Sequence, residues 1–523
     1  MTKLGASALD DKGAVLVLQR LEAAGYEAYL VGGCVRDSVL GRPIKDIDIT
    51  TSARPEQVME VFARTAPTGL AHGTVTVILP EGVYEVTTFR AETEYVDFRR
   101  PAAVAYISDL TEDLQRRDFT MNAMALSARG ELLDPFGGQA DVAAGLLRCV
   151  GAPVERFGED ALRMLRCVRF AAAYGLRVEA ATWQALVAQA PLLRHVAMER
   201  VRSELQRMVE GAAPAQAVRL LLASGLWQHV KRPLELPLER WRVRDAALEG
   251  VALLEQQQER WALLLLLLET PADDVRVALQ RLTFARVDAE AIVAVLGLAQ
   301  QQAAACVGAG AADAASGGPA SGAAAVDPRE LARVWKTAAV RHGARAAHAL
   351  LAVLQALEAA GGVMDAAAAA PARAALPPAG RALPPRAGFA PPSPAAGPAA
   401  GEGAGAEPFP APRAPVPAPA AAAAAAQGLP ANAPAPGWLA RWLRRCAPLL
   451  RAHGAAWLSE MPCFSVKELA VSGTDVAARL DRRPGPWLGS LLETLLARTA
   501  LGELPNERTA LLEAAAELGR SDG

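Results

Sequence analysis

Gly32-Gly33 and the triplet Asp46-Ile47-Asp48 stand close together near the start of the chain. Two glycines after an apolar stretch let backbone N–H groups approach a phosphate closely. Aspartates at i and i+2 of a strand face the same side. Two carboxylates on one face make a hard-oxygen site suited to Mg²⁺. A phosphate cradle beside such a site is equipment for moving nucleotides. The bland reading of Asp-x-Asp is two solvated charges on an exposed strand. Ile44, Ile47 and Ile49 are apolar and β-branched, which predicts a strand in a sheet core and carboxylates in need of a cation.

Two further clusters could handle the rest of a nucleotide. Arg116-Arg117-Asp118-Phe119-Thr120-Met121-Asn122-Ala123 sets consecutive arginines at the entrance to an apolar element. Arginine forks hold phosphates bidentately, although paired arginines are also ordinary surface charge. Asp118 can accept from a ribose hydroxyl, and Asn122 can donate to a phosphate or sugar. In Glu159-Asp160-Ala161-Leu162-Arg163-Met164-Leu165-Arg166 a continuous helix would make Asp160 and Arg163, and Glu159 and Arg163, neighbours. That is either a surface salt bridge of little worth or a donor–acceptor pair. An acidic acceptor beside a guanidinium donor matches the Watson–Crick edges of both cytosine and adenine, and mismatches guanine and uracil.

The elements that must position these residues follow from periodicity. Ala14 to Ala24 reads as an amphipathic helix stopped by Gly25, Glu27 to Val31 as a strand into the glycines, and Ile44 to Thr50 as the aspartate strand. Glu56 to Arg64 reads as a helix. Thr74 to Leu79 and Tyr84 to Phe89 form a hairpin around Glu81-Gly82, and Arg90 to Glu112 is a polar, mobile loop. Mixed α and β thus gives way, from about Asp141, to helices over Glu159–Tyr174, Val201–Glu210, Ala215–Ala223, Trp261–Leu268, Val275–Leu282 and Arg329–Ala359. Gln302 to Ala325 is mostly alanine and glycine, and Ala366 to Pro436 is an Ala/Pro/Gly tract that cannot bury a core. Helical periodicity returns over Trp438–Leu518 as a small separate unit.

Composition narrows the classes. The net charge of −2 means that a nucleic-acid partner needs a local basic patch. The six cysteines form no C-x-x-C pair and are widely spaced, which argues against a zinc site or a disulfide framework and fits a reducing cytoplasm. The apolar run Trp261–Leu268 is too short to span a membrane, so none is expected.

Together the motifs resemble the class II tRNA nucleotidyltransferase (CCA-adding enzyme) and poly(A) polymerase family. Leu30 to Asp37 with Asp46 and Asp48 is similar to its first motif, Arg116 to Ala123 to its second, and Asp134-Pro135-Phe136-Gly137-Gly138 with Asp141 to its third, a hinge segment. Glu159-Asp160-x-x-Arg163 is similar to its nucleotide-selecting motif, and Ser465 to Leu469, Gly485 to Gly489 and Leu504 to Arg508 to its tail. The resemblance implies an α+β fold, a polymerase-β-like mixed-sheet head (residues 1–140) followed by an all-helical neck (141–210), body (211–360) and tail (438–523), with the Ala/Pro-rich linker at 361–437. It implies addition of C, C and A from CTP and ATP to a tRNA 3′ end. Asp46 and Asp48 would hold two Mg²⁺ ions, with Glu85 as a candidate third carboxylate. Gly32, Gly33, Arg36 and Arg117 would position phosphates, Asp118 the ribose, and Asp160, Arg163 and Arg166 the base, with Glu159 orienting Arg163. Arg441, Arg444, Arg445 and Arg451 are the candidate tRNA contacts or else a solvated helix face.

Alternatives remain at this stage. The segment Thr68 to Val77 is similar to the tRNA-directed branch rather than to the poly(A) polymerases, and Asp97 to Pro101 resembles the flexible loop of members that add A. Addition of A alone stays open. The run D-I-D-I-T at Asp46–Thr50 also matches aspartyl-phosphate phosphatases, whose parallel-sheet context the glycines and the hairpin do not fit. A non-catalytic RNA-binding protein would not need the intact aspartate pair.

Overall fold

The computed structural model describes residues 8–96, 100–314, 326–361 and 437–521. The Asp11 carboxylate accepts the Ala14 N–H at 2.9 Å and starts α1 (Lys12–Ala23), whose Val17, Leu18 and Leu21 share one buried face. After β1 (Ala28–Val31), Gly32 at φ +72° turns the chain straight into α2 (Gly33–Leu40). There follow β2 (Asp48–Thr51), α3 (Pro55–Val61), β3 (Thr65–Gly69), β4 (Thr74–Leu79), β5 (Gly82–Thr88), β6 (Arg90–Val96), β7 (Arg100–Tyr106), α4 (Leu110–Gln115), β8 (Ala125–Leu126), β9 (Leu132–Leu133) and α5 (Gly138–Ala143).

The main sheet runs in the order β3-β4-β5-β2-β1-β8-β9. β2 is antiparallel to β1 and parallel to β5, so the sheet is mixed. Val17, Leu18 and Leu21 pack against Leu30, Val75, Val77 and Val86, and a second apolar cluster gathers Val31, Phe89, Leu110, Leu114 and Ala123. The aspartate strand is shorter than its apolar pattern predicts. Pairing begins only at Asp48, opposite Val31 and Glu85, and Asp46 lies in the segment before it. The polar stretch from Arg90 is not a loop: β6 and β7 form an antiparallel ribbon pairing Arg90 with Tyr106 and Val96 with Arg100. Charged residues there mask the strand-forming Thr93, Tyr95, Val96 and Val104. Residues 97–99, inside the expected flexible loop, lie outside the described residues.

Beyond the sheet come β10 (Leu146–Leu147), α6 (Pro153–Glu159), α7 (Leu162–Tyr174), β11 (Arg177–Val178), α8 (Ala180–Gln189) and α9 (Met198–Glu210). The parallel pair β10–β11 corrects the all-helical expectation for this stretch. Then α10 (Pro214–Ser224), α11 (Arg240–Val243), α12 (Gln257–Leu266), α13 (Ala272–Arg281) and α14 (Arg286–Ala314) follow. The last of these carries helix into the Ala/Gly-rich run. Gly343 separates α15 (Pro328–His342) from α16 (Ala344–Ala359), which the periodicity had joined. The C-terminal helices are α17 (Trp438–Arg445), α18 (Ala447–Ser459), α19 (Gly473–Arg479), α20 (Pro486–Ala500) and α21 (Arg508–Ser521).

One apolar core takes in Leu165 of α7, Leu264 of α12, Leu296 of α14, Leu350 of α16 and also Trp442 of α17 and Leu450 of α18. A smaller core around Val476, Leu495 and Leu511 holds α19 to α21. The expected separate unit from Trp438 is therefore divided: its first two helices complete the large core. Glu269 makes that junction. Its carboxylate, 4% exposed, accepts the N–H groups of Gly437 (2.9 Å) and Leu439 (3.0 Å) at the start of α17 and pairs with Arg244 at 2.7 Å. The expected linker at Ala366–Pro436 lies outside the described residues. Cys34, Cys149, Cys167 and Cys463 are free and buried, whereas Cys446 is disulfide-bonded, against the expectation from spacing. Among the described residues, no helix is long and apolar enough to cross a membrane.

Candidate active site

The cradle is built at the β1–α2 turn. A Cβ on Gly32 would stand 3.1 Å from Arg117 Nη1 and 3.7 Å from Asp48 Oδ2, so a side chain there would crowd Arg117, and the φ of +72° itself favours glycine. A guanidinium and a carboxylate thus converge on the N-terminus of α2, where unpaired backbone N–H groups favour an anion. Asp46 and Asp48 are exposed, not buried in a sheet core, and with Glu85 they line an open cleft of about 860 Å³ that also includes Asp10, Asp11, Lys45 and Glu81. Glu85 is the register partner of Asp48 across parallel strands, so the two side chains leave the same face of the sheet. Desolvation first, and the charge of Asp46 as well, push the Asp48 carboxyl up, while Arg117 pulls it down. A carboxylate held above its ordinary range beside another is one that a cation would stabilise.

Among the described residues, no group of three or more His, Cys, Asp or Glu is gathered tightly enough to cage a metal. The oxygen-only pair Asp46 and Asp48 instead suits an ion that keeps several waters and takes other oxygens from a substrate phosphate, as Mg²⁺ does.

A buried network links this cradle to α7. Arg36, 7% exposed, donates through Nη1 to Asn122 Oδ1 (2.8 Å) and through Nε and Nη2 to Asp37 (3.0 and 2.9 Å). Asn122 Nδ2 donates to Asp118 Oδ1 at 2.9 Å. Asp118 Oδ1 also accepts the Phe119 N–H, and Oδ2 accepts Arg166 Nε and Nη2, both at 2.7 Å. Burial would raise the Asp118 carboxyl, but Arg166 and Asn122 outweigh it and hold it below the usual range. The acceptor capacity of the carboxylate is used within the protein. The sugar contact expected of Asp118 would have to displace one of these bonds, whereas the amide of Asn122 keeps a second N–H and a second acceptor lone pair. Arg36 is held beneath the glycine turn, between Tyr174 (4.5 Å) and Phe170 (5.4 Å), rather than at its surface.

The expected helical pair Asp160–Arg163 is corrected by a helix break. Asp160 is extended at φ −138°, ψ 102°, and its carboxylate accepts the Leu162 N–H at 3.0 Å. A short side chain has here taken a backbone donor and started a new helix. Asp160 pairs instead with Arg200 of α9 at 2.8 Å. Arg163, 8% exposed, is held by Glu159 at 2.5 Å, by the Arg156 carbonyl at 3.1 Å and by the Arg116 carbonyl at 2.7 Å. Glu159 therefore does hold Arg163, and the contact to Arg116 carries α7 back to the arginine pair.

Known proteins share stretches of this chain. Residues 28–148 match the family model described as the Poly A polymerase head domain, and residues 450–515 match tRNA nucleotidyltransferase domain 2. The CCA-adding enzymes of Geobacillus sp. (strain WCH70) and Bacillus velezensis are 46% and 47% identical over 265 and 258 residues, 50% and 49% of this chain. Over these stretches the chain is similar to the class II tRNA nucleotidyltransferase and poly(A) polymerase family. It spans 64% of the length of each of these two relatives. The crystal structure of the Bacillus stearothermophilus CCA-adding enzyme in complex with CTP superposes with a TM-score of 0.65 at 28% identity, covering 100% of this chain and 99% of that one. The Thermotoga maritima CCA-adding enzyme complexed with tRNA, 17% identical over 96% of this chain and 94% of that one, shares the fold, with a TM-score of 0.52.

Family motifs did not bring every expected residue to the site. Arg441, Arg444 and Arg445 lie on α17 and Arg451 on α18, far along the chain from the cradle. Arg441 and Arg444 are exposed, but Arg451 is paired with Glu358 at 2.6 Å. Sequence reasoning missed Arg200 and Tyr174, which only tertiary packing brings in. It also missed Asp113, which precedes Arg116 and Arg117 by three and four residues, a helical spacing that would have found it.

Proposed function

We propose that this chain adds C, C and A to the 3′ end of tRNA from CTP and ATP by nucleotidyl transfer at the Asp46/Asp48 cleft. The observation that carries the reading is the convergence of Asp48 Oδ2 and Arg117 Nη1 on Gly32 at the start of α2. It sets carboxylates, a phosphate-binding guanidinium and helix N–H groups within one nucleotide's length. The tRNA substrate rests on the relatives named above and on the match at 450–515. Bound Mg²⁺ would lower the pKa of the terminal 3′-OH and neutralise the triphosphate. Asp46 and Asp48 would hold the ions, and Glu85, on the same sheet face, would line the cleft beside them. Gly32 and Gly33 would admit the phosphates and Arg117 would clamp them, while Arg36 stiffens the turn from below. Asp160, steadied by Arg200, would offer the acceptor and Arg163, steadied by Glu159, the donor that cytosine and adenine share. Arg166 would act on the base through Asp118 and the position of α7.

Three truncated tRNAs, lacking CCA, CA or only the final A, test the reading when each is incubated with CTP, ATP and Mg²⁺. All three should be extended to the full end, and Asp48→Asn should lose at least ~10³-fold in rate, since metal stabilisation supplies several kcal/mol. Extension of the last substrate alone would mean an enzyme that adds only A. Long runs of A on any RNA would mean a poly(A) polymerase, and no extension at all would remove the enzymatic reading.

A further inference from the structure

Asp113 of α4 is a buried carboxylate, 0% exposed, that no motif above includes. Four other positions converge on it. Arg116 donates to Oδ1 through Nε (3.0 Å) and Nη2 (2.7 Å), and the Arg90 backbone N–H reaches the same oxygen at 3.3 Å. Arg117 Nη2 and Thr50 Oγ1 both reach Oδ2, each at 3.4 Å. Thr50 belongs to β2, the strand that begins with Asp48, and Arg90 opens β6. Burial alone would raise this carboxyl, but Arg116 and Arg117 together hold it below the ordinary range, so it stays ionised.

Arg117 shows what the contact does. One end of its fork is tied to Asp113 and the other, Nη1, stands over the Gly32 turn, while its Nε is buried with no hydrogen-bond partner. A buried N–H left open is costly unless an acceptor arrives. The open donor and the Nη1 at the cradle mark a guanidinium set for an anion, and Asp113 is the side chain that fixes its far end. We infer that Asp113 is a positioning residue: it aims Arg117 at the triphosphate of an incoming nucleotide seated on Gly32. This rests on the nucleotidyl-transfer reading above. Asp113 touches no reacting atom. It acts by fixing the orientation of a flexible side chain before the ligand binds, which removes an ordering cost from binding.

The test uses the full chain, with CTP binding and initial rates of C addition. Asp113→Asn keeps the shape but loses the charge that holds both guanidinia. The KM and Kd for CTP should rise about tenfold, the weight of one charge-assisted hydrogen bond, with kcat within about threefold of wild type. In an Arg117→Ala background the same change should have no further effect on KM, because the residue it positions is gone. A purely structural role predicts lower thermal stability with unchanged KM, or equal losses in both backgrounds, and either result overturns the inference. If the Asn variant does not fold, Asp113→Glu keeps the charge and moves Arg117 by one methylene. Its KM should still rise, and a wild-type KM in that folded variant also overturns the inference. Wild-type protein that binds no CTP would remove the nucleotide reading itself, and this inference with it.

Discussion

Asp118 shows how the acidic limb of stability should behave. Its carboxyl is depressed in the fold because Arg166 and Asn122 outweigh burial, so its contribution to stability is present above the unfolded value, about 3.9, and is lost as pH falls through the folded one. Asp118→Asn should cost ~2–4 kcal/mol at pH 7, less than a fully buried pair because Arg166 is 32% exposed. The gap to wild type should close as pH falls below about 4. Chemical denaturation at pH 7, 5 and 3.5 reads this directly, and a gap that stays constant would show that the ion pair is not the cause. At this scale the sequence was legible where partners are near in sequence. The Glu159–Arg163 bond forms at its expected i, i+4 spacing although the helix breaks between the two, and Glu85, named from the family resemblance, is the register partner of Asp48. Arg200, which takes the Asp160 carboxylate, was invisible because forty residues and a helix packing separate the two.

Elements carry a different kind of constraint. Gly138 begins α5 within the hinge motif, and the Asp134 carboxylate accepts its N–H at 2.7 Å and that of Gln139 at 2.8 Å. A Cβ on Gly138 would fall 2.2 Å from the Thr120 carbonyl oxygen, a backbone atom that cannot swing aside. Gly138→Ala should therefore lower stability by ~1–3 kcal/mol, the usual cost of overpacking, with loss of melting temperature as the measurement. A melting temperature equal to wild type would mean that α5 can slide without penalty. The helices were read from their apolar period because that signal survives in any packing. The β6–β7 ribbon reads as a loop because its charges hide the alternation, and the break at Asp160 does not show in the composition because it rests on a side-chain hydrogen bond, the Asp160 carboxylate accepting the Leu162 N–H that opens α7. The strand at Asp48 was drawn too long for a related reason: apolar flanks indicate burial but not where pairing starts.

At the scale of the whole molecule, Glu269 joins stretches of chain that the sequence reading had put in different units. It sits at φ +50°, an uncommon setting for a residue with a side chain, and its carboxylate serves Gly437, Leu439 and Arg244 together. Glu269→Ala should leave the Arg244 charge, 11% exposed, without its carboxylate and open the start of α17, at a cost of ~3–5 kcal/mol. Hydrogen exchange over residues 438–445 should speed up before that of α12 does, and unaltered protection of α17 would refute the anchoring role. The placement of Gly361 and Gly437 has a practical consequence. The helices that end and begin near these glycines complete one apolar core, so the core is shared by two stretches of chain far apart in sequence. Closing a longer loop costs only about 0.6 kcal/mol per doubling of its length, far less than the burial of two tryptophans and their neighbours returns. Severed after residue 361, the polypeptide should still take back the piece from 437 onward supplied in trans, because that burial also exceeds the cost of association, which would make the pair a two-part reporter of molecular proximity.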